Sequence, residues 1–211
     1  ELTIEDRELA DKRKTWSDDY NNRYDSTYEI ERELVSVPNY ADFYVYKNCG
    51  VCNYLKNGQI WEQHMHDVFD KYITSESYVL EAGCHIGSHS VKLAQMSKHV
   101  HYFEPLPSSF ELLQKNLELN IDDNGNDKYT LHNAGVGEAH RETSFAWIPR
   151  DNLGGTGLSD NPQGIPSVSD EYNTGDWFKS ENETAVSIVP IDSLELEKLD
   201  FIKIDVEGYE P

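Results

Sequence analysis

The chain has 211 residues, 37% of them hydrophobic, which suffices for one sizeable core with appendages and is short for two ordinary domains. Its 39 Asp and Glu against 18 Lys and Arg leave a net charge of −21. That field repels a phosphate backbone and an anionic membrane surface, so it argues against nucleic-acid partners and suits a neutral or cationic small molecule.

Residues 1–37 mix charges of both signs with few apolar anchors. They predict a solvated helical arm, or a linker to a fused or neighbouring domain. From Pro38 onward, residues 38–211 read as one domain. Phe43-Tyr44-Val45-Tyr46, the turn residues Asn48 and Gly50, and a second run to Tyr54 predict a β-hairpin packed on it. Cys49-Gly50-Val51-Cys52 falls inside that hairpin as a lone C-x-x-C, without a second pair for zinc and without the helix start that a redox motif needs. Three cysteines make no disulfide framework, so a reducing compartment, the cytoplasm, is expected. No stretch approaches the roughly 18 apolar residues of a membrane span.

Residues 59–73 place Trp61, Met65, Val68, Phe69 and Tyr72 along one side of a helix. His64 and His66, two apart, point to different sides of it and read as surface histidines. The apolar run Tyr78-Val79-Leu80-Glu81-Ala82 then meets Gly83 and Gly87, and Val91, Leu93, Ala94 and Met96 continue at helical spacing. Strand, tight turn and helix follow one another, as at the carboxyl edge of the first strand of a doubly wound sheet. There a missing Cβ lets a ligand approach the backbone and a helix start favours negative charge. The next strand, His99-Val100-His101-Tyr102-Phe103, ends at Glu104, about 20 residues after Glu81, the distance at which a carboxylate accepts bonds from ribose hydroxyls. NAD and S-adenosylmethionine share that arrangement. The pattern Glu-x-Gly-x-x-x-Gly lacks the pyrophosphate cradle of a dinucleotide fold and favours S-adenosylmethionine.

Pro105 and Pro107 end the second strand, Ser108 or Ser109 can cap the next helix, and Phe110, Leu112, Leu113 and Leu117 carry it to Asn120. Tyr129-Thr130-Leu131-His132-Asn133-Ala134 predicts a third strand whose end passes the adenine. A strand near 143–148 precedes residues 149–183, a Gly-, Pro- and Ser-rich loop too long for a connector, with Gly154-Gly155-Thr156-Gly157 a candidate edge of the substrate pocket. Residues 185–189 and 201–204 predict two further strands. The second should pair beside the first strand and carry Asp205 and Glu207 to the same crevice as Gly83 and Glu104.

Four segments, taken together, resemble the FkbM-type family of class I S-adenosylmethionine-dependent methyltransferases. They are Val79-Leu80-Glu81-Ala82-Gly83-Cys84-His85-Ile86-Gly87, Phe103-Glu104-Pro105 with Leu113 to Asn120, His132-Asn133-Ala134-Gly135-Val136, and Lys203-Ile204-Asp205-Val206-Glu207-Gly208-Tyr209-Glu210. The family more often has Asp at position 81 and Ala-Asn at 84–85. The resemblance implies a Rossmann-like doubly wound α/β sheet and methyl transfer to a hydroxyl oxygen of a sugar, glycan or small natural product. It also implies that Glu81, Gly83, Cys84, His85 and Gly87 hold the amino-acid end of the cofactor, that Glu104 and Pro105 meet the ribose, and that Leu106 and Ala134 flank adenine. Asp205 is the first choice for general base or ligand of a divalent metal, Glu207 the second, His85 or His89 the third. The family sheet continues beyond its fourth core strand, so the sheet here is expected to be incomplete, its edge covered by later residues or by a partner in an oligomer. A noncatalytic cofactor-binding module and an NAD-dependent oxidoreductase are the rival readings.

Overall fold

The structure, a computed structural model, describes residues 32–47, 49–122, 127–149, 157–158, 177–179 and 185–206. Most of the predicted arm lies outside these residues. Its last part does not: β1 (Arg32–Val37) pairs antiparallel with β2 (Ala41–Tyr46). In β2, Phe43 and Val45 are fully buried on one face, the alternation of a half-buried strand. The hairpin is therefore shifted toward the N-terminus of its expected place. The predicted second arm is instead a helix, α1 (Gly50–Lys56), whose Cys52 and Leu55, three apart, share its buried side.

Helix α2 (Gln63–Tyr72) is shorter than predicted, because Glu62 takes a left-handed conformation at φ 44°, ψ 53° and stops the helix from starting earlier. Then β3 (Tyr78–Ala82), α3 (Ser90–Met96), β4 (His99–Phe103), α4 (Pro107–Asn120) and β5 (Tyr129–His132) follow as two strand–helix–strand crossovers. No side chain caps α4. Pro107 occupies its first turn, where a missing N–H costs nothing, and Ser108 and Ser109 are buried within it instead of capping it.

The last described strand, β11 (Phe201–Ile204), returns to pair with β3, giving an all-parallel sheet of order β11-β3-β4-β5, the position foreseen from its sequence. One face presents Glu81, Tyr102 and Lys203. On the other, Leu80, Ala82, Phe103 and Ala134 form an apolar cluster with Val136, Val189, Ile191, Leu194, Leu199 and Val206. Each large side chain buried there contributes roughly 1.5–3 kcal/mol.

The strands predicted near 143–148 and over 185–189 both form, and they belong to a second sheet that also takes in two short strands from the stretch predicted as a loop. In it β6 (Gly135–Val136), β10 (Ala185–Val189), β7 (Arg141–Pro149) and β8 (Gly157–Leu158) lie in that order, and β9 (Trp177–Lys179) also pairs with β7. Residues 154–156 of the candidate pocket edge lie outside the described residues. Among the described residues no strand pairs with the outer edge of β11, and no helix is long and apolar enough to cross a membrane.

Candidate active site

The turn after β3 is held by its own backbone. The amides of Gly83 and Cys84 donate to the Phe103 carbonyl at 2.9 and 3.3 Å, and Gly87 donates to Cys84 at 2.9 Å. Gly83, His85 and Gly87 have φ of 81°, 51° and 87°. A Cβ on Gly83 would lie 1.7 Å from the carbonyl oxygen of Asp205, and one on Gly87 would lie 2.8 Å from Leu113 Cδ1. The glycines thus answer first to the protein's own packing. Gly83 lets the end of β11 sit against the end of β3, a demand that comes ahead of the ligand approach expected from the sequence. The Asp205 amide completes that junction by donating to Ala82 at 3.0 Å.

Glu104 closes β4 with 6% of its surface exposed. Its Oε2 accepts the His85 amide at 2.7 Å and its Oε1 accepts the Leu106 amide at 2.9 Å. Burial pushes its carboxyl above the ordinary range, opposed by the His85 ring and those two N–H groups. Asn133 donates to the carbonyls of Glu104 and Pro105 at 2.9 and 3.2 Å. This fixes the end of β4 beside Ala134, while Leu106 is buried at the start of α4. Turn, acid and apolar residues thus converge at one edge of the sheet.

Glu81 is different. Only 1% exposed, it accepts Ser90 Oγ at 2.6 Å through Oε2, and its Oε1 lies 3.4 Å from Lys203 Nζ. Lys203 also lies 3.6 Å from Asp205 Oδ2. Burial penalises the Lys203 ammonium, but Glu81 and then Asp205 more than offset this, so its pKa rises. Burial pushes Glu81 up, against Lys203 and Ser90. With an ammonium this close we hold the pair to be ionised. Glu81 is a tie between β3, α3 and β11, with both oxygens already engaged. Lys203 was not singled out from the sequence, because its place directly across from Glu81 follows from the parallel register of β11 and β3.

Asp205 is 55% exposed at the side chain, and Glu207 lies outside the described residues. Cys84 is buried with its Sγ donating to the Glu81 carbonyl at 3.4 Å, and burial pushes its thiol up. The His85 ring lies beside Cys49, with Nε2 3.9 Å from Sγ. His89 is buried, its Nε2 3.2 Å from Glu62 Oε2 and its Nδ1 without a hydrogen-bond partner. Burial first, then Lys203 and His66, lower it to about 3. His66, read as a surface residue, is buried among Tyr40, Phe69 and His89, because the helix packs that side against α3. Among the described residues no three His, Cys, Asp or Glu side chains are arranged to hold a metal ion. Of the two carboxylates expected to hold a metal, only Asp205 is among those residues, and the proposed reaction runs through no metal.

A parallel sheet with a glycine turn after one strand and a buried acid at the end of the next defines a Rossmann-like nucleotide-cofactor domain. The family is narrower than that. The model of the methyltransferase FkbM domain matches residues 81–210, and the chain belongs to that family. Similar solved structures include the methyltransferase FkbM from Methylobacillus flagellatus KT (17% identity, 75% of this chain and 36% of that one, TM-score 0.40). Others are an rRNA methylase from Streptococcus thermophilus (25%, 34% and 41%, 0.30) and M. jannaschii TYW2 in complex with AdoMet (16%, 47% and 42%, 0.34). The chain thus spans less than half the length of each. No curated protein matches the sequence.

Proposed function

We propose that the chain forms the cofactor-binding core of an S-adenosylmethionine-dependent enzyme that methylates a hydroxyl of a sugar, glycan or small natural product. The observation that carries this reading is Glu104, a buried carboxylate anchored by the His85 and Leu106 amides at the end of β4, next to the Gly83–Gly87 turn. Its remaining lone pairs suit the two hydroxyls of a ribose. Leu106 and Ala134 offer apolar surface to the adenine, and the backbone of residues 83–87 borders the amino-acid end. Bound S-adenosylmethionine supplies a methyl already activated by the sulfonium charge. What remains for the protein is to align the acceptor oxygen, exclude water and take one proton. Asp205 fits that last role: its carboxylate is solvent-accessible, its backbone seats on Gly83, and Lys203 lies 3.6 Å from Oδ2. Glu81, engaged on both oxygens, acts by holding Lys203 and Ser90 in place. His85 acts through its amide on Glu104.

The charge of −21 favours an uncharged or cationic acceptor over RNA, the substrate of the Streptococcus rRNA methylase. Calorimetric titration with S-adenosylmethionine and, separately, with NAD tests the cofactor. Micromolar binding of the first alone is expected, and binding of NAD alone overturns the reading. Methyl transfer to hydroxylated sugars then separates an enzyme from a noncatalytic module, which would bind the cofactor and transfer nothing.

A further inference from the structure

The C-x-x-C stretch does not lie in a hairpin. Cys49 is the N-cap of α1, extended at φ −162°, ψ 139°, and its Sγ accepts the Cys52 amide at 3.4 Å. Both thiols are thus on the inner side of one helical turn, the placement that a redox pair requires and that a hairpin denies. A third group converges on them. The His85 ring sits with Nε2 3.9 Å from Cys49 Sγ, and the amide of the same residue donates to Glu104 at 2.7 Å. A charge change at Cys49 therefore reaches the turn after β3 through one residue, itself held at φ 51°.

We propose that Cys49 and Cys52 are a reversible dithiol–disulfide site, with Cys49 the nucleophile and His85 its partner, and that oxidation there loosens the turn after β3. The contact with Cys52, and then His85, hold the Cys49 thiol well below its ordinary range against the effect of burial, while Cys52 is pushed up. The Cys52 amide that donates to Cys49 Sγ favours Cys49 as the thiol of the pair that gives up its proton. Both cysteines are fully buried, so a bulky disulfide does not reach them in the folded chain, and a small oxidant enters by local opening of the first turn of α1, where Gly50 is exposed. The oxidant that fits is hydrogen peroxide, little larger than water. The Cys49 thiolate attacks one peroxide oxygen, the O–O bond breaks, and sulfenic acid and hydroxide form. The Cys52 thiol then attacks the sulfenic sulfur, its proton leaves with the hydroxyl as water, and the S–S bond closes. The two electrons lost by sulfur are those gained by peroxide. A small dithiol reductant reverses the step by exchange. Cys84, packed against Glu81, takes no part.

The whole chain, titrated with peroxide and mapped by peptide mass spectrometry, is expected to give a Cys49–Cys52 link that dithiothreitol removes. In Cys52→Ser, and in Cys52→Ala should the first variant fold poorly, the reaction should stop at a sulfenic acid on Cys49 that dimedone traps when the oxidised chain is unfolded in its presence. Absence of both products, or a link to Cys84, overturns the site. Amide exchange at His85 should become roughly threefold faster or more in the oxidised chain. Unchanged exchange overturns the coupling. The consequence for cofactor affinity rests on reading this turn as the cofactor site. Calorimetry on the reduced chain tests that reading independently, so its failure and that of the dithiol are told apart.

Discussion

Glu104 is pulled two ways, toward the neutral acid by burial and toward the carboxylate by His85 and two amides. Glu104→Gln removes the charge and puts an amide N–H₂ where an acceptor is needed. Cofactor affinity should fall roughly 10- to 100-fold by calorimetry, the worth of a charged hydrogen bond, while circular dichroism stays native. Asp205→Asn should separate from it cleanly. Turnover should drop roughly 10²–10⁴-fold with cofactor affinity unchanged, and full turnover in this variant would remove Asp205 from the role of base. The two glycines of the turn are not equivalent. Gly83→Ala drives a methyl into the backbone carbonyl of Asp205, whereas Gly87→Ala meets the movable end of Leu113. Urea midpoints should show a loss on the order of 4 kcal/mol or more for the first and a smaller loss for the second.

Helix α4 ties the hairpin to the turn after β3 through one buried amide. Asn116 accepts the Tyr44 amide at 2.7 Å and donates to the carbonyls of Tyr44 and Ile86 at 3.0 and 2.8 Å. Asn116→Ala leaves those groups unpaired and should cost roughly 2–4 kcal/mol in a urea titration. The sheet strands and α4 were legible in the sequence because their apolar runs are long and end at Gly83, at Pro105 or at a carboxylate. Glu104 was legible by its spacing from Glu81. The first hairpin was misplaced because Cys52 and Leu55 sit in a run that also alternates, and only the capping contact of Cys49 decides for a helix. Of the second sheet, β7 and β10 were legible, whereas β6 and β8, two residues each, and the three-residue β9 are too short to carry a periodicity. The tie between Lys203 and Glu81 spans two strands far apart in sequence, and no local pattern announces it.

At the scale of the molecule, pH acts through the buried histidines. His89 is lowered from 6.5 to about 3 by burial, Lys203 and His66, with Asp205 opposing and His64 adding. The unfolded chain therefore takes up the proton first as pH falls below 6.5, and stability declines from there toward about 3, by up to about 1.4 kcal/mol per pH unit. His66 and His101 are shifted the same way, while Glu81 and Glu104 are shifted up and oppose the decline. Urea midpoints between about pH 7 and pH 5.5 should therefore change less in His89→Gln than in the parent, the difference isolating this residue. The seat of Gly83 on Asp205 has a further consequence, in the order of synthesis. Three strands and both crossovers of the parallel sheet leave the ribosome before β11, and the Tyr78 amide waits for a carboxylate 122 residues later, on Asp200. The nascent chain can pair β3, β4 and β5 early, yet the turn after β3 lacks its backstop until position 205 emerges. Emergence of that residue completes the backbone contacts of the turn, so chains arrested while it is still inside the ribosome should pair strands without acquiring a settled turn.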